Sequence, residues 1–227
     1  MSAKRFVISD IHGCFQTFRH LLEKIIKPTE EDQVYLLGDY INKGPGSKDV
    51  LDYLIALKEE KNVKLLRGNH EQVLLNIIDD KISNFDLYEK GGIHTMQSFG
   101  INHPKELPKK YQNFLRDLPY FYELDDCWLV HAGFNLEILN PLQDTHAMLN
   151  IRHMPYNPSF LKGKKVIHGH IPIPLSKIVD CVKYNYWNIY LDSGCVYTKR
   201  PGMGFLSALE LNSMHLTCKE CIDPVND

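Results

Sequence analysis

At five points along this 227-residue chain an apolar run stops at a side chain able to bind a metal, with glycine close by. The stops are Asp10-Ile11-His12-Gly13, Gly38-Asp39, Gly68-Asn69-His70, His131-Ala132-Gly133 and His168-Gly169-His170. Carboxylate, carboxamide and imidazole without thiolate suit Mn, Fe or Zn better than a structural zinc held by cysteines. Asp10 and His12 are two apart on extended chain, so they face the same way. Glycine lets the backbone turn sharply and a ligand come close. One Asp after a strand is ordinarily a turn former, and one His among eleven a structural residue. Five such ends in one chain point instead to a shared site.

Those side chains can meet only if the runs end along one edge. Lys4–Ser9, Val34–Leu37 and Val63–Leu66 read as buried strands. Between and after them apolar residues recur at helical spacing. Phe15, Phe18, Leu21, Leu22, Ile25 and Ile26 form one such series, closed by Pro28. Val50, Leu51, Leu54, Ile55 and Leu57 form a second, N-capped by Ser47, and Val73, Leu74, Ile77 and Ile78 a third. The alternation predicts βαβ units with a parallel sheet and right-handed crossovers. Residues of about 80–118 read as a mostly helical cap insertion, with a helix near Leu107–Leu118. Tyr120–Leu124 and Cys127–Val130 read as a hairpin turned at Asp125-Asp126. Residues 140–160 read as a long loop around one short helix, and Lys165–Ile167 as a further strand. Ile178–Val182, Trp187–Leu191, Gly204–Leu211 and His215–Cys218 read as short strands.

The length fits one domain, 1–227, with a sizeable core. A net charge of -2 argues against a protein that coats nucleic acid, which carries a basic surplus. No apolar run approaches the roughly 20 residues of a membrane helix, and Met1–Arg5 lead straight into a strand, so the expected location is the cytoplasm. The six cysteines are scattered, and the single C-x-x-C at Cys218 and Cys221 reads as two reduced thiols.

The five strand ends, in this order and with Arg67 before Gly68-Asn69-His70-Glu71, resemble the PPP-type metallophosphoesterases. This family includes the serine/threonine protein phosphatases, with bacterial and phage members, and the symmetrical diadenosine-tetraphosphate hydrolases. The resemblance implies an α/β fold, the calcineurin-like αββα sandwich of two mixed sheets with flanking helices. It also implies two divalent metal ions, Mn first, with Fe or Zn as alternatives. Asp10, His12 and Asp39 would hold the first, and Asp39, Asn69, His131 and His168 the second. A hydroxide bridging the metals would attack phosphorus directly, and His70 would protonate the leaving alkoxide. Arg67 matches a phosphate-binding arginine, Arg152 the remote arginine of bacterial members, and Lys43 the position of a phosphate-gripping arginine.

Small size and the Arg67–Glu71 motif lead us to expect a metal-dependent serine/threonine protein phosphatase, a phosphoric monoester hydrolase whose partner is a phosphoprotein or phosphopeptide. Symmetrical diadenosine-tetraphosphate hydrolysis is the alternative, supported by Gly44-Pro45-Gly46-Ser47. A non-catalytic binding module would lack a ligand or His70, and none is missing. Asn42-Lys43 stand where the protein phosphatases carry Asp-Arg. Asn42 can accept a hydrogen bond from His70 without stabilising an imidazolium, and Lys43 offers a point charge where arginine offers a planar fork. Weaker support for His70 and a looser grip on phosphate are expected.

Overall fold

The computed structural model describes residues 3–60, 62–83, 87 and 90–225. Strands β1 (Arg5–Ile8), β2 (Gln33–Leu36) and β3 (Val63–Leu65) are parallel. They continue through antiparallel β8 (Phe205–Glu210) and β9 (His215–Glu220) into a sheet of order β3-β2-β1-β8-β9. A second sheet has the order β4-β5-β6-β7, built from Phe121–Glu123, Cys127–Val130, Lys165–His168 and Asn188–Tyr190. β4 and β5 form the predicted hairpin, and β5, β6 and β7 run parallel.

Side-chain alternation along the strands sorts them into three cores. Val7, Tyr35 and Leu37 of the first sheet meet Cys127, Leu129, Ile167 and Ile189 of the second, so the sheets pack face to face. Phe6, Ile8, Val34 and Leu36 point the other way. They bury the helices α1 (Phe15–His20, continued by a wider turn to Ile26), α2 (Ser47–Glu60) and α3 (Asn69–Ile78). Trp128, Val130 and Val166 cover the outer face of the second sheet with Phe134, Met148 and Leu161. The result is a sandwich of two mixed sheets with flanking helices.

The structure changes two local readings. Ile178–Val182 is no strand but part of helix α8 (Leu175–Lys183), with Pro174 at its N-cap. Ile178 and Cys181 recur at helical spacing and are the buried face, a signal too short to separate from a strand by eye. Residues 140–160 hold two short helices, α6 (Thr145–Asn150) and α7 (Pro158–Leu161), rather than one. Within the predicted cap, α4 (Ile93–Phe99) and α5 (Lys109–Arg116) put Met96, Tyr111 and Leu115 into the core shared with Leu51, Leu54 and Leu74. These helices flank the sandwich. Residues 84–86, 88 and 89 of the cap lie outside the described residues.

Candidate active site

The loop after β2 is folded tightly enough to need help. Gly38, Asp39, Asn42 and Lys43 all have positive φ (104°, 53°, 71° and 67°), the left-handed region that side chains disfavour. Glu71, on the first turn of α3 and fully buried, holds this loop. Its Oε2 accepts from the N–H groups of Asp39 and Gly68, both at 2.9 Å. Its Oε1 accepts from Tyr40 at 2.9 Å and Ile41 at 3.3 Å. Burial and the neighbouring Asp39 push the carboxyl up to about 8, while these donors pull it down. Four N–H groups meeting two oxygens is an arrangement for the ionised form. Glu71→Gln presents an NH2 to two of those donors and is expected to cost about 3 kcal/mol. Urea unfolding of the metal-free protein checks this.

Side chains from five strand ends converge above this loop. Asp39 Oδ1 lies 3.5 Å from His131 Nε2, and Asp39 Oδ2 lies 3.6 Å from His12 Nε2 and 3.8 Å from His70 Nε2. Donor atoms of His12, Asp39 and His70 lie within 4.8 Å of one another, as do those of Asp39, His131 and His170. Asp10 is held on the same edge, its Oδ2 accepting from His170 N at 2.9 Å. Gly169 is required there, because a Cβ would fall onto Asp10 Oδ1.

The protons show what the cluster lacks. His12, His131 and His168 each turn Nδ1 to a backbone carbonyl, of Ile41, Leu37 and Gly169, at 3.0–3.1 Å. A carbonyl only accepts, so Nδ1 carries the proton and Nε2 keeps a lone pair, which His12 and His131 turn toward Asp39. Burial keeps the rings neutral, lowering His131 to about 3 and His168 to about 4, and depressing His12 strongly. His131 Nε2 nevertheless faces Asn69 Oδ1 at 3.0 Å, lone pair against lone pair. His168 Nε2 and His170 Nε2 are buried with no hydrogen-bond partner. Asp10 and Asp39 are buried carboxylates, pushed up, Asp39 to about 6, first by burial. Converging lone pairs and desolvated carboxylates are what a divalent cation satisfies. At His12 the position is taken by an ammonium, Lys43 Nζ, 2.9 Å from Nε2. The residues therefore fit a metal centre.

His70 is built differently. Its Nδ1 accepts from Asn42 Nδ2 at 2.9 Å. The Asn42 amide is oriented by Thr95, whose Oγ1 donates to Asn42 Oδ1 at 2.6 Å and accepts from Asn42 N at 2.9 Å. Asn42 thus donates to His70, where the sequence suggested that it accepts. With Nδ1 occupied, the neutral ring carries its proton on Nε2, facing Asp39. Burial, then the charges of His12 and Lys43, holds its pKa well below the usual histidine value.

Beside this cluster lies a cavity of about 440 Å³ lined by Asp39, Lys43, Asn69, His70, Lys90, Arg152, Tyr197 and Arg200. Lys43 and Arg152 both line it. Arg67 does not line this cavity. Its guanidinium donates to Gln72 Oε1 at 2.8 Å, Tyr120 Oη at 2.9 Å and the Arg116 carbonyl at 2.5 Å, and lies against the Tyr120 ring. It locks α3 to α5. Lys90, Tyr197 and Arg200 went unseen in the sequence, with the Arg200 guanidinium 3.8 Å from the Tyr197 ring centre. Asp192, buried and pushed up to about 6 by burial, stands one step behind Leu191 after β7. It is a sixth strand end, followed by Gly194, and that pattern could have directed attention to the loop through Arg200.

A family model for calcineurin-like phosphoesterases matches residues 3–201. The chain belongs to that family. Among the relatives it matches are proteins named symmetrical bis(5'-nucleosyl)-tetraphosphatase. The one from Buchnera aphidicola subsp. Baizongia pistaciae is 44% identical over 70 residues, 31% of this chain and 24% of that protein. The one from Vibrio campbellii is 29% identical over 147 residues, 64% of this chain and 48% of that protein. The chain thus spans about half the length of these curated relatives, or less. Two solved structures share the fold. A candidate diadenosine tetraphosphatase has a TM-score of 0.67 at 20% identity, covering 96% of this chain and 93% of that one. A serine/threonine phosphatase from Saccharomyces cerevisiae has a TM-score of 0.62 at 15% identity, covering 98% and 81%.

Proposed function

We propose that this family member hydrolyses a dinucleoside tetraphosphate symmetrically, at the central P–O–P bridge. The observation that carries the reading is the cavity beside Asp39 and His70, lined by Lys43, Lys90, Arg152 and Arg200 with Tyr197 among them. A phosphomonoester brings about two negative charges, whereas a tetraphosphate brings about four, and a row of cations matches the longer anion. The relatives named for this reaction overturn the protein-phosphatase expectation, and with it the phosphoprotein partner. That expectation leaned on the Arg67 motif, and Arg67 is spent on Tyr120 and Arg116.

In this reading Asp10, His12 and Asp39 would hold one divalent ion, and Asp39, Asn69, His131 and His168 another, with His170 beside Asp39 and His131. Such ions, when bound, supply Lewis-acid polarisation of the phosphoryl oxygens and a water nucleophile at neutral pH. The chain's own residues do the rest. Lys43, Lys90 and Arg152 seat the phosphates, and Tyr197 offers a face to a base. His70 Nε2–H points its proton toward the bridging oxygen that leaves. A bond forms from water oxygen to a central phosphorus and the bridge bond breaks. The water's proton passes to solvent, the nucleoside diphosphate leaves as a weakly basic anion, and neutral His70 Nε2–H hydrogen-bonds its departing oxygen. Turnover of diadenosine tetraphosphate to two equivalents of ADP by Mn-loaded protein tests this. Release of AMP and ATP, or inertness toward the dinucleotide, would refute it.

Metal removal has a second readout. Bound metal at a hundred times its Kd stabilises by about 2.7 kcal/mol. For a chain of this size that is roughly 5–10 °C in Tm. Below about pH 6 Asp39 holds its proton, which a metal must displace. The Tm gap between Mn-loaded and chelated protein is therefore expected to widen as pH rises from 5 to 7. A gap independent of pH would place the metal away from Asp39.

A further inference from the structure

We propose that Cys14, Cys195 and Cys221 form a second metal site, for a thiophilic d10 cation. The three are far apart in sequence and meet in space. Cys14 follows the Asp10–Gly13 strand end, Cys195 follows Asp192-Ser193-Gly194, and Cys221 is the first residue after β9. Cys221 Sγ lies 3.8 Å from Cys14 Sγ, and all three sulfurs lie within 4.8 Å of one another. No carboxylate or imidazole belongs to the group, which sets it apart from the His/Asp centre. Cys14 and Cys195 are fully buried and Cys221 half-buried, so an ion could enter past Cys221 and be shielded afterwards.

Buried thiols commonly pack as small hydrophobes. The remaining cysteines behave in that way. Cys127 and Cys181 lie singly in the core between the sheets. Cys218 turns to Ser207 Oγ, 3.7 Å away, and takes no part in a pair with Cys221. The trio is different because each sulfur has two other sulfurs as neighbours. The nearby side-chain oxygens are committed elsewhere. Asp223 accepts from Gln16 N, Thr17 N and Thr17 Oγ1 at 2.6–2.9 Å, and Thr17 Oγ1 also accepts from Ile222 N. Three sulfurs without a fourth side-chain donor fit the trigonal coordination of Cu(I). Zn(II) prefers four ligands and would draw a water past Cys221. Binding replaces thiol protons with the cation and releases them to solvent. An ion here would tie β9 to the two loops carrying Asp10, His12 and Asp192.

The test uses Mn-loaded protein, kept reduced and free of oxygen. It is titrated with Cu(I) against bathocuproine disulfonate and, separately, with Zn(II) against a chromogenic zinc chelator. One equivalent beyond the manganese is expected, with a sulfur-to-metal charge-transfer band for Cu(I). Retention of either ion with the manganese content unchanged supports the site and names its occupant, whereas zinc taken up only in exchange for manganese counts against it. Cys221→Ser is expected to weaken binding at least about 100-fold. Hydrolysis by the Mn-loaded variant should be unchanged, and Cys218→Ser should bind as the wild type does. Should Cys221→Ser fail to fold, alkylation of the wild type gives the second measurement, since bound metal must protect Cys14, Cys195 and Cys221 together. Neither ion held, equal binding by Cys221→Ser, or a metal-free Cys14–Cys221 disulfide persisting under reductant would each overturn the proposal.

Discussion

Asp39→Asn is expected to lower kcat/KM for diadenosine tetraphosphate by at least about 10³-fold, some 4 kcal/mol of transition-state stabilisation. Asp39 is shared by both clusters of metal-binding donors in the His/Asp centre. Its Oδ1 accepts from His70 N at 3.0 Å and faces His131, while Oδ2 faces His12 and His70. Asparagine preserves the size and one acceptor, so the loop over Glu71 should still fold. It removes the charge and the second acceptor, and with them the bridge between the two groups. Metal analysis should therefore fall from two ions per chain toward one, with urea stability of the metal-free protein little changed. Two ions retained with activity within tenfold of wild type would remove Asp39 from the centre.

The site was legible in the sequence to the extent that strands position it. Asp10, His12, Asp39 and Asn69 follow parallel strands of one sheet, and His131 and His168 follow parallel strands of the other, so pairing places each set along one edge of its own sheet. That the two edges meet comes from the packing of the sheets, which no apolar run announces. Long side chains and loops escaped that logic. Whether Arg67 swings to phosphate or to Tyr120 depends on α5 and the Arg116 carbonyl, 49 residues away. Lys90, Tyr197 and Arg200 sit in loops whose course no periodicity sets. Ile178–Val182 was misread because five apolar-rich residues satisfy either period, and only Pro174 and the length to Lys183 decide for a helix. The cysteine trio was invisible for the opposite reason. The spacing of Cys218 and Cys221 drew the eye to a pair that the strand separates, while the true neighbour of Cys221 stands 207 positions earlier.

Asn42 bears on the reaction itself, and His70 is where it acts. His70→Asn is expected to lower kcat for the dinucleotide about 10²-fold, the low end of what a positioned acid contributes. The reason is the leaving group. A nucleoside diphosphate departs as a weak base and asks little of its proton donor, whereas an alcohol leaves as a strongly basic alkoxide. A neutral imidazole, with Nδ1 taken by Asn42 and a strongly depressed pKa, serves the first and serves the second poorly. Asn42→Asp reverses the hydrogen bond. The carboxylate accepts from Nδ1–H and stabilises the imidazolium, so the His70 pKa rises. A raised pKa keeps the acid protonated to higher pH, and the alkaline limb of kcat/KM moves upward. The variant is expected to gain about tenfold on an alkyl phosphomonoester such as glycerol phosphate, while staying within about threefold on the dinucleotide. Thr95 hydroxyl keeps its hydrogen bond, because Oδ1 remains an acceptor in the carboxylate, so the loop need not move. Equal gains on both substrates, or an unmoved pH profile, would mean that His70 is no proton donor and that Asn42 only packs against it.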